Sequence, residues 1–357
     1  MSQFWSDLVQ QLDPYVPGEQ PQDHQYIKLN TNENPYPPSP EVAKAIQGFP
    51  LESLRRYPDP ESSDLRKALA GYFSLEPNQI FIGNGSDEVL AHSYQAFFSG
   101  RDPILFPDIS YSFYPAYCSL YQIKYRSIAL DKKLCVDVSD YRGANGGIII
   151  PNPNAPTGIA LSLDAIRELL ENTTSVVIVD EAYVDFGAES ALRLIADFPN
   201  LLVIQTFSKS RSLAGMRLGY ALGQPELIEG LNRVKNSFNS YPVDSLASAV
   251  AVASLKDEAW FQQCRDRIIS TRGWLEIALT ELAFKVYPSA SNFLFVQHAS
   301  FPAHDLYQKL KKAGILVRYF DAPRIDNCLR ITIGSKDECR SLIEALKQII
   351  MNSKIDE

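Results

Sequence analysis

The chain has 357 residues, 45% of them hydrophobic, enough to fill two domains or one large α/β domain with an appendage. Forty-two acidic against 34 basic residues leave a net charge of -8, which argues against a nucleic-acid surface and favours small-molecule substrates. No apolar run approaches the ~20 residues that cross a bilayer, and MSQFWSDLVQQLDPY lacks a basic segment followed by an apolar one. A cytoplasmic protein without a membrane partner is expected.

Cys118, Cys135, Cys264, Cys328 and Cys339 are odd in number, widely spaced and form no C-x-x-C pair, so they read as buried thiols. His24, His92, His298 and His304 show no metal-binding spacing, and His92 falls in a predicted helix. No metal is expected.

Residues 1–45 carry Pro14, Pro17, Pro21, Pro35, Pro37, Pro38 and Pro40, which deprive the backbone of donors. After a short helix this predicts an extended arm, of a kind that reaches a partner subunit. The stretches 12–18 and 29–35 hold more polar residues than a plain linker requires.

Residues 46–245 read as the large domain. An irregular basic and aromatic loop, 54–60, precedes a helical pattern over 65–73. Strand 79–82 then turns at Gly83-Asn84-Gly85 into a helix starting near Ser86. Free N–H groups and the positive end of the helix dipole make that start an anion site, suited to a phosphate. A dinucleotide fingerprint fails because its third glycine would fall at Glu88, and no G-K-[ST] occurs anywhere.

A strand over 103–107 leads to Tyr111, which could lie flat against an aromatic ligand, although core packing is the cheaper explanation for any single tyrosine among 18. Strand 146–150 runs into Pro151-Asn152-Pro153-Asn154-Ala155-Pro156-Thr157-Gly158. Helical spacing follows over 163–170, then strand 176–179 ends at Asp180-Glu181-Ala182-Tyr183. The apolar run 203–207 ends at Ser208-Lys209. Continuous apolar strands alternating with helices predict an α/β fold, a mostly parallel sheet covered on both faces. Ligands of such sheets gather at the carboxyl ends of strands, where Asp180 and Lys209 would meet. Burial disfavours the charged form of a lysine and frees an amine nucleophile, which suits a Schiff base. A buried carboxylate beside an aromatic nitrogen shifts its pKa by about one to three pH units and so holds it protonated.

Residues 246–357 change pattern to a smaller α+β domain. A helical stretch over 247–282 breaks near Lys256-Asp257, and strands are expected at 292–296, 315–318 and 328–333, with a helix at 304–313 between the first two. Leu329, Ile331 and Ile333 share one strand face, so Arg330 points away from the core, to solvent or to a cleft.

Pro156-Thr157-Gly158, Asp180-Glu181-Ala182-Tyr183, Ser208-Lys209 and Leu213-Ala214-Gly215-Met216-Arg217, in this order and spacing, resemble the fold type I pyridoxal-phosphate aminotransferases over nearly the whole chain. Leu12-x-Pro14-Tyr15-x-Pro17-Gly18, Leu29-Asn30-x-Asn32-Glu33-Asn34-Pro35, Arg56-Tyr57-Pro58 and the segment 328–334 narrow the likeness to the histidinol-phosphate aminotransferase family, class II. The resemblance implies a seven-stranded sheet in the large domain and a homodimer with shared active sites. It implies that Lys209 holds pyridoxal 5'-phosphate, Asp180 pairs with the ring nitrogen and Tyr183 meets the ring hydroxyl. Ser208, Arg217 and the backbone at Ser86 and Asp87 would grip the cofactor phosphate, joined by Tyr57 of the neighbouring subunit, while Tyr111 stacks on the ring. Tyr15, Asn32, Arg318 and Arg330 would bind substrate, Arg330 also taking the carboxylate of glutamate.

One departure stands out. The family places Asn before Pro-Thr-Gly, and here that position is Ala155, so either Asn154 shifts in or Tyr183 and water carry the contact. The implied reaction passes the amino group of glutamate to imidazole-acetol phosphate, giving histidinol phosphate and 2-oxoglutarate in histidine biosynthesis. An aromatic-amino-acid aminotransferase or a threonine-phosphate decarboxylase on the same fold is the alternative.

Overall fold

A computed structural model describes residues 2–16, 18–21 and 26–353; Pro17 and His24, named above, lie outside this set. The chain opens with helix α1 (Asp7–Gln11), capped by the Ser6 side chain, and a two-residue strand, β1 (Ile27–Lys28). Helices α2 (Pro40–Gln47) and α3 (Ser63–Phe73) follow. Next come β2 (Ile80–Gly83), α4 (Gly85–Phe97), β3 (Ile104–Pro107), α5 (Phe113–Tyr121), β4 (Tyr125–Ile128) and β5 (Ile148–Pro151). Then α6 (Leu163–Glu171), β6 (Val177–Asp180), β7 (Leu201–Thr206) and β8 (Gly219–Gly223) complete a seven-stranded sheet ordered β2-β8-β7-β6-β5-β3-β4.

From β7 to β4 every pairing is parallel, whereas β8 is antiparallel to both β2 and β7. Successive residues of the inner strands feed opposite cores, as strand geometry requires. Val177 and Val179 pack with Leu65, Leu69 and Ile166 on one face, and Ile178 packs with Val89, Leu90 and Ile149 on the other. Two strands of this sheet escaped the sequence reading. The edge strand β4 is largely exposed and carries Arg126 and Ser127, and β8 begins and ends in glycine, a poor strand former.

After α7 (Pro225–Phe238) come α8 (Ser245–Lys256) and α9 (Glu258–Glu281), separated by Asp257, whose side chain accepts from the Trp260 N–H and starts the second helix. The remaining elements are β9 (Phe284–Val286), β10 (Phe293–His298), α10 (Ala303–Lys312), β11 (Ile315–Leu316), β12 (Arg318–Tyr319), β13 (Leu329–Thr332) and α11 (Lys336–Ser353). Strands β12-β13-β10-β9 form a small antiparallel sheet.

Four expectations change. Ala247, Val250, Ala251 and Leu255 of α8 belong to the large-sheet core, so the second core starts with α9 and not at residue 246. The expected strand 315–318 is split: β11 pairs in parallel with β1, and β12 pairs with β13. The arm is therefore partly a packed layer, with Leu29 1% exposed inside the small core. Of the five cysteines, Cys118, Cys264, Cys328 and Cys339 are buried, but Cys135 is only half-buried.

Candidate active site

Strands β6 and β7 run side by side with Asp180 opposite Ile204, so the end of β6 and the loop after Thr206 emerge at the same sheet edge. Asp180 and Lys209 consequently line one cavity of about 600 Å³. The two cores supply opposite walls: Ser86, Asp87, Ser208 and Arg217 come from the large sheet, Arg318 and Arg330 from the small one.

Asp180 is 6% exposed, and its Oδ2 accepts a hydrogen bond from the Tyr114 hydroxyl at 2.8 Å. Its Oδ1 is buried without a partner. Burial pushes its pKa up from 3.8 to about 6, against the pull of hydrogen bonds from Tyr114 and the Ala182 backbone. An unpartnered carboxylate oxygen on a cavity wall fits a protonated ring nitrogen.

Lys209 is only partly buried, less enclosed than the sequence reading implied, and its Nζ donates to the Thr31 carbonyl at 3.2 Å. The Asn34 amide holds the main chain beneath it, donating to the carbonyls of Lys209 and Ser210 at 3.2 and 3.1 Å. Ser210 Oγ in turn donates to the Asp185 carboxylate. The lysine ammonium lies 5.8 Å from the Tyr183 ring centre, and the Tyr183 oxygen accepts from Asn32 Nδ2 at 2.9 Å.

At the start of α4, Gly85 has φ +85°, and a Cβ there would come within 2.6 Å of Arg217 Nη2. A Cβ on Gly219 would come within 2.2 Å of the Ser86 nitrogen. Both glycines thus keep the helix N-terminus and the arginine close together, a cradle for an anion. Arg217 Nη2 lies 3.2 Å from Asp87 Oδ2, while Tyr111 donates to Asp87 Oδ1 at 2.8 Å and lines the same cavity.

At the other end Arg330 Nη2 donates to the Asn30 carbonyl at 2.9 Å, its Nε is unpartnered, and burial lowers its pKa. Arg318 and Arg330 both lean over Phe320, with guanidinium-to-ring distances of 5.5 and 5.6 Å. Among the described residues neither forms an ion pair, so two guanidinium groups without a contacting carboxylate face the cavity. The cleft, and not solvent, is where Arg330 points. Tyr15 packs on Phe113 at 4.4 Å and lines the cavity beside them.

Two expected residues stand apart. Asn154 is buried behind the wall, donating to the Ile109 carbonyl and to Thr157, and Ala155 lines the cavity in its place. Tyr57 is 83% exposed and stacks on Tyr241 outside the cavity. Sequence reading assigned no role to Tyr114, Thr31 or Asn34. Among the described residues no His/Cys/Asp/Glu group is arranged to hold a metal, and no helix is long and apolar enough to cross a membrane.

The family model for aminotransferase class I and II matches residues 24–346. The chain belongs to this aminotransferase family. A histidinol-phosphate aminotransferase of Clostridium botulinum (strain Kyoto / Type A2) is 53% identical to it over 98% of this chain and 99% of its own length. Its counterpart from Chromohalobacter salexigens is 56% identical, with 98% and 99% covered. The crystal structure of a Sinorhizobium meliloti histidinol-phosphate aminotransferase in complex with pyridoxal-5'-phosphate matches this aminotransferase with a TM-score of 0.89. That match covers 99% of both chains at 24% identity and bears on the fold alone.

Proposed function

We propose that this aminotransferase uses pyridoxal 5'-phosphate to move the amino group of glutamate to imidazole-acetol phosphate, giving histidinol phosphate and 2-oxoglutarate. The observation that carries the reading is one cavity with a lysine and an unpartnered buried carboxylate at one end and two unpaired arginines at the other. Identity of 53–56% over almost the whole chain to histidinol-phosphate aminotransferases supports the choice of substrate.

When bound, the cofactor supplies an electron sink for the carbon that gains or loses the amino group. Asp180 holds the proton on the ring nitrogen, and its burial keeps that contact free of water. Lys209 would anchor the group, and its Nζ would carry the proton to and from the substrate carbon. The N–H groups at Ser86 and Asp87, with Ser208 and Arg217, hold the cofactor phosphate, and Tyr111 covers the ring. Arg318, Arg330 and Tyr15 bind the substrate phosphate. The planar fork of Arg330 suits the glutamate carboxylate equally, so one site serves both half-reactions. Tyr57, turned away from its own cavity, reaches the site of a second copy in a homodimer. The setting is cytoplasmic.

The test is spectroscopic. Purified protein with pyridoxal phosphate should show a visible band that glutamate bleaches and imidazole-acetol phosphate restores, with no carbon dioxide released. Lys209→Ala should lose the band and about three or more orders of magnitude in kcat. Full turnover by that variant, or carbon dioxide release without a 2-oxo acid acceptor, would reject the reading.

A further inference from the structure

We propose that Asn32 and Thr332 are positioning residues that aim the Tyr183 hydroxyl proton into the cavity; this rests on the reading that the cavity holds pyridoxal phosphate. Asn32 is 1% exposed and sits at φ 58°, a left-handed conformation that few side chains other than asparagine tolerate. Its backbone N–H donates to Thr332 Oγ1 at 3.0 Å, and its carbonyl accepts from Asn292 Nδ2 at 2.9 Å. These bonds to the small sheet hold it in place.

The direction of each proton follows in turn. Because Thr332 Oγ1 already accepts the Asn32 N–H, its own O–H donates to Asn32 Oδ1, 3.0 Å away. That bond fixes the amide with Nδ2 toward Tyr183, whose oxygen accepts at 2.9 Å. Reversing the amide would leave the buried Thr332 hydroxyl facing two donors, with no acceptor for its proton. The Tyr183 hydroxyl proton must therefore leave on the other side. No described residue accepts it, and Tyr183 lines the cavity. The recipient is the hydroxyl oxygen of the cofactor ring. Asn32, expected to be a substrate ligand, has both polar atoms of its amide committed to this relay, and its origin lies on strand β13, 300 residues along the chain.

A donor on the ring oxygen stabilises negative charge there and so favours the deprotonated form of the bound chromophore. The test is a spectrophotometric pH titration of the protein loaded with pyridoxal phosphate, as wild type and as Thr332→Val, Thr332→Ser and Asn32→Asp. Thr332→Val frees the amide to turn its oxygen toward Tyr183, and Asn32→Asp presents only acceptors. Both variants should raise the midpoint by about half to one pH unit. Thr332→Ser keeps the hydroxyl and should titrate like wild type.

Unmoved midpoints in both variants would overturn the relay, and so would a Thr332→Ser shift as large as that of Thr332→Val, which would trace the effect to packing. Should Thr332→Val fail to fold by thermal melting, Asn32→Asp carries the test alone. A wild type without a visible band overturns the underlying reading and the relay with it; a wild-type band with unmoved variants overturns the relay alone.

Discussion

Asp180 carries the clearest physical signature of any single residue. Its folded-state pKa stands near 6 against an ordinary 3.8, and its neighbour Glu181 is raised from 4.5 to about 7, both because burial penalises the ionised form. Groups raised in this way keep their protons in the folded chain after the unfolded chain has lost them. Stability of the cofactor-free protein should therefore fall as pH rises from about 4 to 7, with Asp180 contributing on the order of 3 kcal/mol. Urea unfolding at several pH values checks this, and Asp180→Asn should flatten the dependence. The same variant should lose about tenfold to a thousandfold in kcat, since the ring nitrogen loses its counter-charge. Lys209 and Asp180 were legible in the sequence because each closes an apolar run. Tyr114 and Asn34 were not, since they act on residues 66 and 175 positions away, beyond the reach of local pattern.

Among the elements, the contact of β8 with the start of α4 decides whether the anion cradle can form. Gly219→Ala would drive a methyl group into the Ser86 nitrogen, and backbone cannot yield there as a flexible side chain would. The variant should keep its far-ultraviolet circular dichroism while pyridoxal-phosphate affinity drops about tenfold or more, measured by fluorescence titration of the cofactor-free protein. Normal affinity would mean that the helix start is not part of the cradle. The parallel strands were readable because burial on both faces leaves continuous apolar runs. Helix α8 was misassigned for a related reason: its small apolar residues mark it as buried without saying against which core. The exposed β4 and glycine-bounded β8 offered no comparable signal.

For the whole molecule, the homodimer proposed above can be tested through Tyr57, which is exposed and stacked on Tyr241. Mixing Lys209→Ala and Tyr57→Ala subunits and allowing exchange, at limiting cofactor, should regenerate about a quarter of wild-type sites, because half the dimers then own one complete site. Activity equal to the sum of the separate variants would indicate that sites are not shared. The arm was foreseen as a reach toward a partner, but its packing within its own chain was not, because proline content reports stiffness and not destination. Its strip 27–34 is bonded on one side to β11 and β13 and on the other to the main chain of Lys209. Any tilt of one core against the other must tug this strip and, through it, the reactive amine. Opening the mouth of the cleft and disarming its chemistry are then a single mechanical event, which leaves little room for a gaping enzyme with a live lysine.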